Sequence, residues 1–188
     1  MLAELVNNEY RAVTRWRVQA APGELATIAQ TPEDLMRWWP AAFLVSEMTK
    51  PGDGSGVGAE FECHTKGWLP HTFHFQGRVV EAVYGRKVRV VVWGDFEGSM
   101  ECGVEQAGTS CRIQFDWRVR VEKPLIRRLS FLFKALFYCN HMWVMNCGLK
   151  SIEVELARRR SARVRRVAPG PTFPYGPRYQ WLRKGLPR

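Results

Sequence analysis

Asn140 and His141 stand together in the middle of the most apolar long stretch of the chain, SFLFKALFYCNHMWVMNCGLK, residues 130–150. An amide there can fix a ligand's carbonyl or hydroxyl in an apolar pocket, or it can be a core amide that holds a neighbouring loop or strand. An imidazole can bind in the same way or carry a proton, but proton transfer needs an acid or nucleophile placed beside it. The other chemistry-bearing residues are badly spaced. His71 and His74 are separated by an odd step, and Cys63 and His64 are adjacent, so on strands each pair diverges to opposite faces. No cluster has metal-ligand spacing, and neither a metal nor a cofactor is expected. GDGSGVG, residues 52–58, has the glycines of a phosphate cradle, yet AEFEC follows it and reads as a strand, not a helix start. It is expected to be a flexible loop between two strands at a cavity mouth.

The elements around these residues are legible from their periods. YRAVTRWRVQA puts Tyr10, Ala12, Thr14, Trp16, Val18 and Ala20 on one face, with Arg11, Arg15, Arg17 and Gln19 opposite, as in a half-buried strand. Pro22 opens a short helix. Thr31 as N-cap and Pro32 at the first helical position open a second, ended by Pro40. From 43 to 122 nearly everything alternates. Phe61 and Cys63 share a face, as do Phe73, Phe75 and Val79, and Val88, Val90 and Val92. Phe96, Met100, Cys102 and Val104 follow, then Cys111, Ile113, Phe115, Trp117, Val119 and Val121. Short glycine-containing breaks between these last runs predict an antiparallel meander with one apolar face. After Pro124 the spacing becomes three and four, at Leu125, Leu129, Phe133, Leu136, Asn140, Val144 and Cys147, which is helical. The class is α+β.

That last helix is long enough at Leu129–Leu149 to cross a bilayer. It carries Lys134, Asn140, His141 and Asn146, however, which are costly in hydrocarbon. Arg127 and Arg128 before it and Lys150 after it give no asymmetry to orient it. The apolar sheet face needs a cover, and this helix meets the need. The expected product is the core helix of a soluble domain. The start, MLAELVNNEYR, has acids early and no apolar run of signal-peptide length. Five cysteines without a CxxC pair favour free thiols in a reducing cytoplasm.

A strand, two short helices, six strands and a long C-terminal helix resemble the helix-grip fold of the START-like, birch-pollen-allergen-like superfamily. Ala21-Pro22 with Glu24, WWPA at 38–41, PGDGSGVGAEF at 51–61, and NHMWVM at 140–145 followed by Gly148 resemble its polyketide cyclase and lipid-transport branch. Cys147 and Leu149 depart from it, around a glycine where relatives often carry a glutamate. The resemblance covers roughly residues 10–157 and implies a curved sheet of about seven strands wrapped around the long helix, with a hydrophobic cavity between them. Trp16, Phe73, Phe75, Val90, Met100, Phe115 and Trp117 from the sheet, and Phe137, Asn140, His141 and Val144 from the helix, are the candidate ligand contacts. The inward strand faces carry almost no ionisable group, and Glu101 and Asp116 alternate outward, so no catalytic residue is assigned. The expected function is binding, or transport, of a hydrophobic small molecule such as a lipid or polyketide. The alternative is an enzyme of cyclase or aromatase type in the same cavity.

Charge divides the chain. No acid follows Glu155, residues 1–157 sum to zero, and the whole net charge of +10 lies in 158–188. A helix-grip domain over 1–157 is therefore expected to precede a basic, proline- and aromatic-rich tail. A neutral body disfavours nucleic acid as a partner. The tail can be solvated charge, a tether to anionic membrane, or an arm that stacks Phe173, Tyr175, Tyr179 and Trp181 on bases. Its aromatics favour docking on the body around Trp93 through Phe173, Tyr175 and Trp181, leaving the arginines for an anionic partner such as a lipid headgroup.

Overall fold

The computed structural model describes residues 9–122, 124–161, 163 and 166–175, without the side chains of 124–134. The expectations for Leu125, Leu129, Phe133, Tyr179 and Trp181 lie outside the described residues. In chain order the elements are β1 (Glu9–Val18), α1 (Pro22–Ile28), α2 (Asp34–Trp38), β2 (Phe43–Lys50), β3 (Glu60–Lys66) and β4 (Thr72–Val83). They continue with β5 (Lys87–Gly94), β6 (Phe96–Ala107), β7 (Ser110–Val121) and α3 (Pro124–Arg160). The strands form one antiparallel sheet in the order β1-β7-β6-β5-β4-β3-β2.

The register aligns the apolar stripes. Trp16 faces Ile113, Thr14 faces Phe115 and Ala12 faces Trp117, while Met100 sits between Trp117 and Val90. One side of the curved sheet is consequently continuous and apolar, and α3 lies in its grip. The largest buried cluster joins Trp16 and Val18 of β1, Leu25 and Ile28 of α1, Trp38 of α2, and Met145, Ile152 and Leu156 of α3. Two smaller clusters, one around Cys63, Phe75 and Val92 and one of Phe73 with Val121, fill the other parts of the sheet. Among the described residues no helix is long and apolar enough to cross a membrane. All five cysteines are free.

Two local expectations are corrected. Val88 lies near the register shift between Val79 and Glu81 and is 39% exposed, so the inward stripe of β5 begins at Val90. The second helix begins at Asp34, after turns that bond Asp34 N–H to Thr31 O and Leu35 N–H to Pro32 O. Asp34 Oδ2, not Thr31, accepts the free N–H groups there, those of Gln30 and Thr31. The glycine loop between β2 and β3 is bonded within itself: Asp53 Oδ1 accepts from the N–H groups of Ser55 and Val57 and from the Ser55 hydroxyl.

Charge fastens the end of α3. Glu155 is buried and accepts from Arg37 of α2 and from Arg159. Arg160 forks onto Glu24, whose carboxylate also takes the N–H of Ala21 at the start of α1. Arg159 reaches Thr27 O, and Arg158 donates to Arg166 O. The first arginines of the basic run therefore belong to α3 and are engaged with protein groups. The Arg160 guanidinium and the Ala21 N–H hold the Glu24 carboxyl well down, at about 2 against an ordinary 4.5. Glu155 and Asp34 are also lowered: burial, the largest single influence, raises both, but the hydrogen bonds they accept and the charges of their arginines together outweigh it. Depressed carboxyls stabilise the fold above their unfolded values and lose that contribution as pH falls toward their folded ones. Melting temperature is expected to decline between pH 4.5 and about 2. Glu24→Gln should lower it at neutral pH and flatten that decline; an unchanged pH profile would show that the clamp carries no stability.

Candidate functional site

The middle of the concave face is less covered than its ends. Along β7 the inward residues Cys111 and Ile113 are buried, Phe115, Trp117 and Val119 are half-buried, and Val121 is buried again. Met100, Cys102 and Val104 of β6 are half-buried too. Across from them His141, Trp143 and Val144 of α3 are likewise only half-buried. Large apolar side chains on facing elements normally close completely. Here they leave accessible surface between two sealed ends.

One end is sealed by aromatic packing. Trp16 meets Phe115 at 4.6 Å and Trp39 at 5.6 Å, both edge-on, and Trp39 stacks on Trp38 at 5.2 Å. Gly148 lets α3 cross here, because a Cβ would stand 2.5 Å from the Trp39 indole. The other end is closed by Phe137, which meets Tyr10 at 6.3 Å and His71 at 5.8 Å.

Between them Trp117 and His141 form an edge-to-face pair at 6.2 Å. Trp117 Nε1 and His141 Nε2 are shielded from solvent and have no hydrogen-bond partner among the described residues, and the same holds for the Thr14 hydroxyl. Burial pushes the His141 imidazole below its ordinary 6.5, so it is neutral at pH 7. An indole N–H, a neutral imidazole and a hydroxyl in an apolar setting can bind a carbonyl or hydroxyl oxygen. The Cys102 thiol bordering the region is protonated, since burial pushes it up to about 12.

Asn140 makes its contact elsewhere. Its Oδ1 accepts the N–H of Leu69 at 3.1 Å, and its side chain sits so close to Gly67 that a Cβ there would collide with it. It ties α3 to the β3–β4 loop. Asn140→Ala is expected to cost about 1–3 kcal/mol by leaving the Leu69 N–H unpaired. Hydrogen exchange at 67–71 should rise in parallel, and loss of ligand affinity without either effect would point to a ligand contact instead.

On the outward side, a shallow groove of about 790 Å³ runs beside Glu9, Arg11, Glu97, Arg118 and Arg120. Arg120 is paired with Glu97 and Arg118 with Asp116, so this groove is a salt-bridged surface.

No protein-family model matches the chain, and no curated protein matches it. Solved structures do. A protein from Thermus thermophilus superposes with a TM-score of 0.68 at 14% identity, over 81% of this chain and all of its own. A START superfamily protein from Mycobacterium smegmatis gives 0.53 at 14% identity, over 70% of this chain and 97% of its own. A point mutant of Thalictrum flavum norcoclaurine synthase, in complex with a transition-state analogue, gives 0.52 at 16% identity, over 81% and 97%. The fold is the START and birch-pollen-allergen-like helix grip.

Within this helix grip the candidate contacts separate by place. Met100, Phe115, Trp117, His141 and Val144 border the uncovered middle, whereas Trp16, Phe73, Phe75 and Val90 are buried in the clusters that frame it. Phe137 belongs to the sealed end and Asn140 to the loop contact. Thr14 is not among the contacts expected from sequence. The signal for it is a hydroxyl in an otherwise apolar inward stripe.

Proposed function

We propose that the protein binds a hydrophobic small molecule in the middle of the grip, between β6, β7 and α3. The observation that carries this reading is the unpartnered pair Trp117 Nε1 and His141 Nε2 on a half-covered aromatic face. A buried donor without a partner costs free energy, and a ligand oxygen would relieve it. An elongated apolar body with one carbonyl or hydroxyl, as in a lipid or polyketide, suits both features. Transport follows if the ligand is released to a second site.

The test is native mass spectrometry of protein from its own host, coupled to titration with anilinonaphthalene sulfonate and displacement by a fatty acid. Saturable binding is expected, weakened about three- to tenfold in His141→Phe or Trp117→Phe by loss of one neutral hydrogen bond. Binding that does not saturate, or that survives both variants unchanged, removes the reading. The cyclase alternative rests on His141 as a neutral base. It demands that His141→Ala lose turnover about a hundredfold while affinity is kept.

A further inference from the structure

The tail re-enters the body at the β3–β4 loop. Thr172 Oγ1 donates to the carbonyls of Gly67 and Trp68, at 3.1 and 3.3 Å, and accepts from Lys66 Nζ. Lys66 is only 2% exposed and is held by oxygens and a ring: Gly67 O at 2.7 Å, Phe173 O at 3.5 Å, and the Tyr175 face at 5.9 Å. No carboxylate pairs with it among the described residues. The docking place is thus Lys66 and the loop rather than Trp93, and Phe173 takes part through its carbonyl alone, its side chain leaving the residue 82% exposed.

This attachment bonds Thr172, the residue before Phe173, to the carbonyl of Trp68, which is 39% exposed. The same loop is bonded through Leu69 to Asn140 of α3, and Leu136, one helical turn before Asn140, is 36% exposed. Exposed side chains of the loop, the tail and the adjoining turn of α3 therefore lie on segments that are hydrogen-bonded to one another. The chain that supplies Phe173 carries the entire +10 and no acid. Of its arginines, Arg158, Arg159 and Arg160 bond to protein oxygens, while Arg163 and Arg166 are exposed.

Aromatic side chains beside unbalanced positive charge match an interface whose outer layer is anionic and whose next layer is apolar. Phosphates of a nucleic acid would use the charge but leave the exposed aliphatic Leu136 without a role. We propose that these joined segments dock on an anionic lipid surface, with Trp68 and Phe173 inserted and the basic tail spread over the headgroups. The inference is independent of what fills the grip.

Sedimentation of the full chain with vesicles tests it. Binding to phosphatidylserine-containing vesicles is expected at low salt and should fall steeply toward moderate salt, with negligible binding to phosphatidylcholine alone. The double variant Trp68→Ala/Phe173→Ala should bind about tenfold more weakly with an unchanged melting temperature. Arg163→Gln and Arg166→Gln should each cost roughly fivefold. The proposal is overturned by equal binding to both vesicle types, by no binding at low salt, or by undiminished affinity of the aromatic double variant. A single-stranded oligonucleotide that strips the protein from vesicles at lower concentration than free phosphatidylserine headgroup would overturn it too.

Discussion

Replacing Trp16 by alanine is expected to lower the unfolding free energy by about 3–5 kcal/mol. That is a large share of the roughly 5–15 kcal/mol typical of a domain. Trp16 is 4% exposed and is the place where β1, the segment after α2, and α3 converge. Its ring meets Trp39 and Phe115 edge-on, and its outer edge lies against Gly148. Trp39 in turn donates its indole N–H to Val144 O at 3.3 Å, so the same contact locates the helix. Removing the indole leaves a cavity that flat aromatic neighbours cannot fill without shifting α3. Trp16→Phe keeps one ring and should cost considerably less. Urea unfolding monitored by circular dichroism gives both values, and a loss below about 1 kcal/mol for alanine would contradict the convergence.

Met100→Trp is expected to abolish binding of an apolar probe, by at least about tenfold and up to roughly a hundredfold, with little change in melting temperature. Met100 is half-buried opposite Trp117 and Val90, where the sheet faces the uncovered middle of α3. An indole placed there occupies ligand space. If the space were already filled by protein, the same substitution would overpack the core and cost about 1–3 kcal/mol. The two measurements therefore separate an available pocket from a packed interior. Lost binding with retained stability supports the site; retained binding with lost stability sinks it.

Alternation made the sheet readable. In β7 every second residue from Cys111 to Val121 faces inward, and the pairing with β6 and β1 repeats that face without a slip. A strand's period records which side is apolar, and nothing in it records how closely the partner approaches. Trp16 and Trp117 look alike in sequence, yet one is sealed and the other half-covered: at Gly148 the backbone of α3 comes right up to Trp16 and Trp39, whereas Trp117 meets α3 through an edge-on contact with the His141 ring. Contacts between distant segments carry no local period at all. Asn140 to Leu69, Arg160 to Glu24 and Lys66 to Thr172 link positions far apart in the chain, so a loop-holding amide could be read at Asn140 but not its partner, and the helix clamp and the tail's landing place were invisible. Leu136 shows the converse: its spacing fits the inward stripe, but it is exposed where the stripe runs past the covered surface.

The placement of β1 bears on how the protein reaches this state. Every ladder from β2 to β7 joins neighbours in sequence, whereas β1 pairs with β7, from Glu9 opposite Arg120 to Val18 opposite Cys111. The hairpins can form one after another as the chain is made. The N-terminal strand and the two short helices must wait for the last strand and for α3, and that closure bears most of the loop entropy. Until then Trp16, Trp38 and Trp39 have no core to enter. The slow step of folding should accordingly be the docking of the N-terminal segment. A nascent chain stalled after β6 would present those three indoles to chaperones, or to other copies of itself.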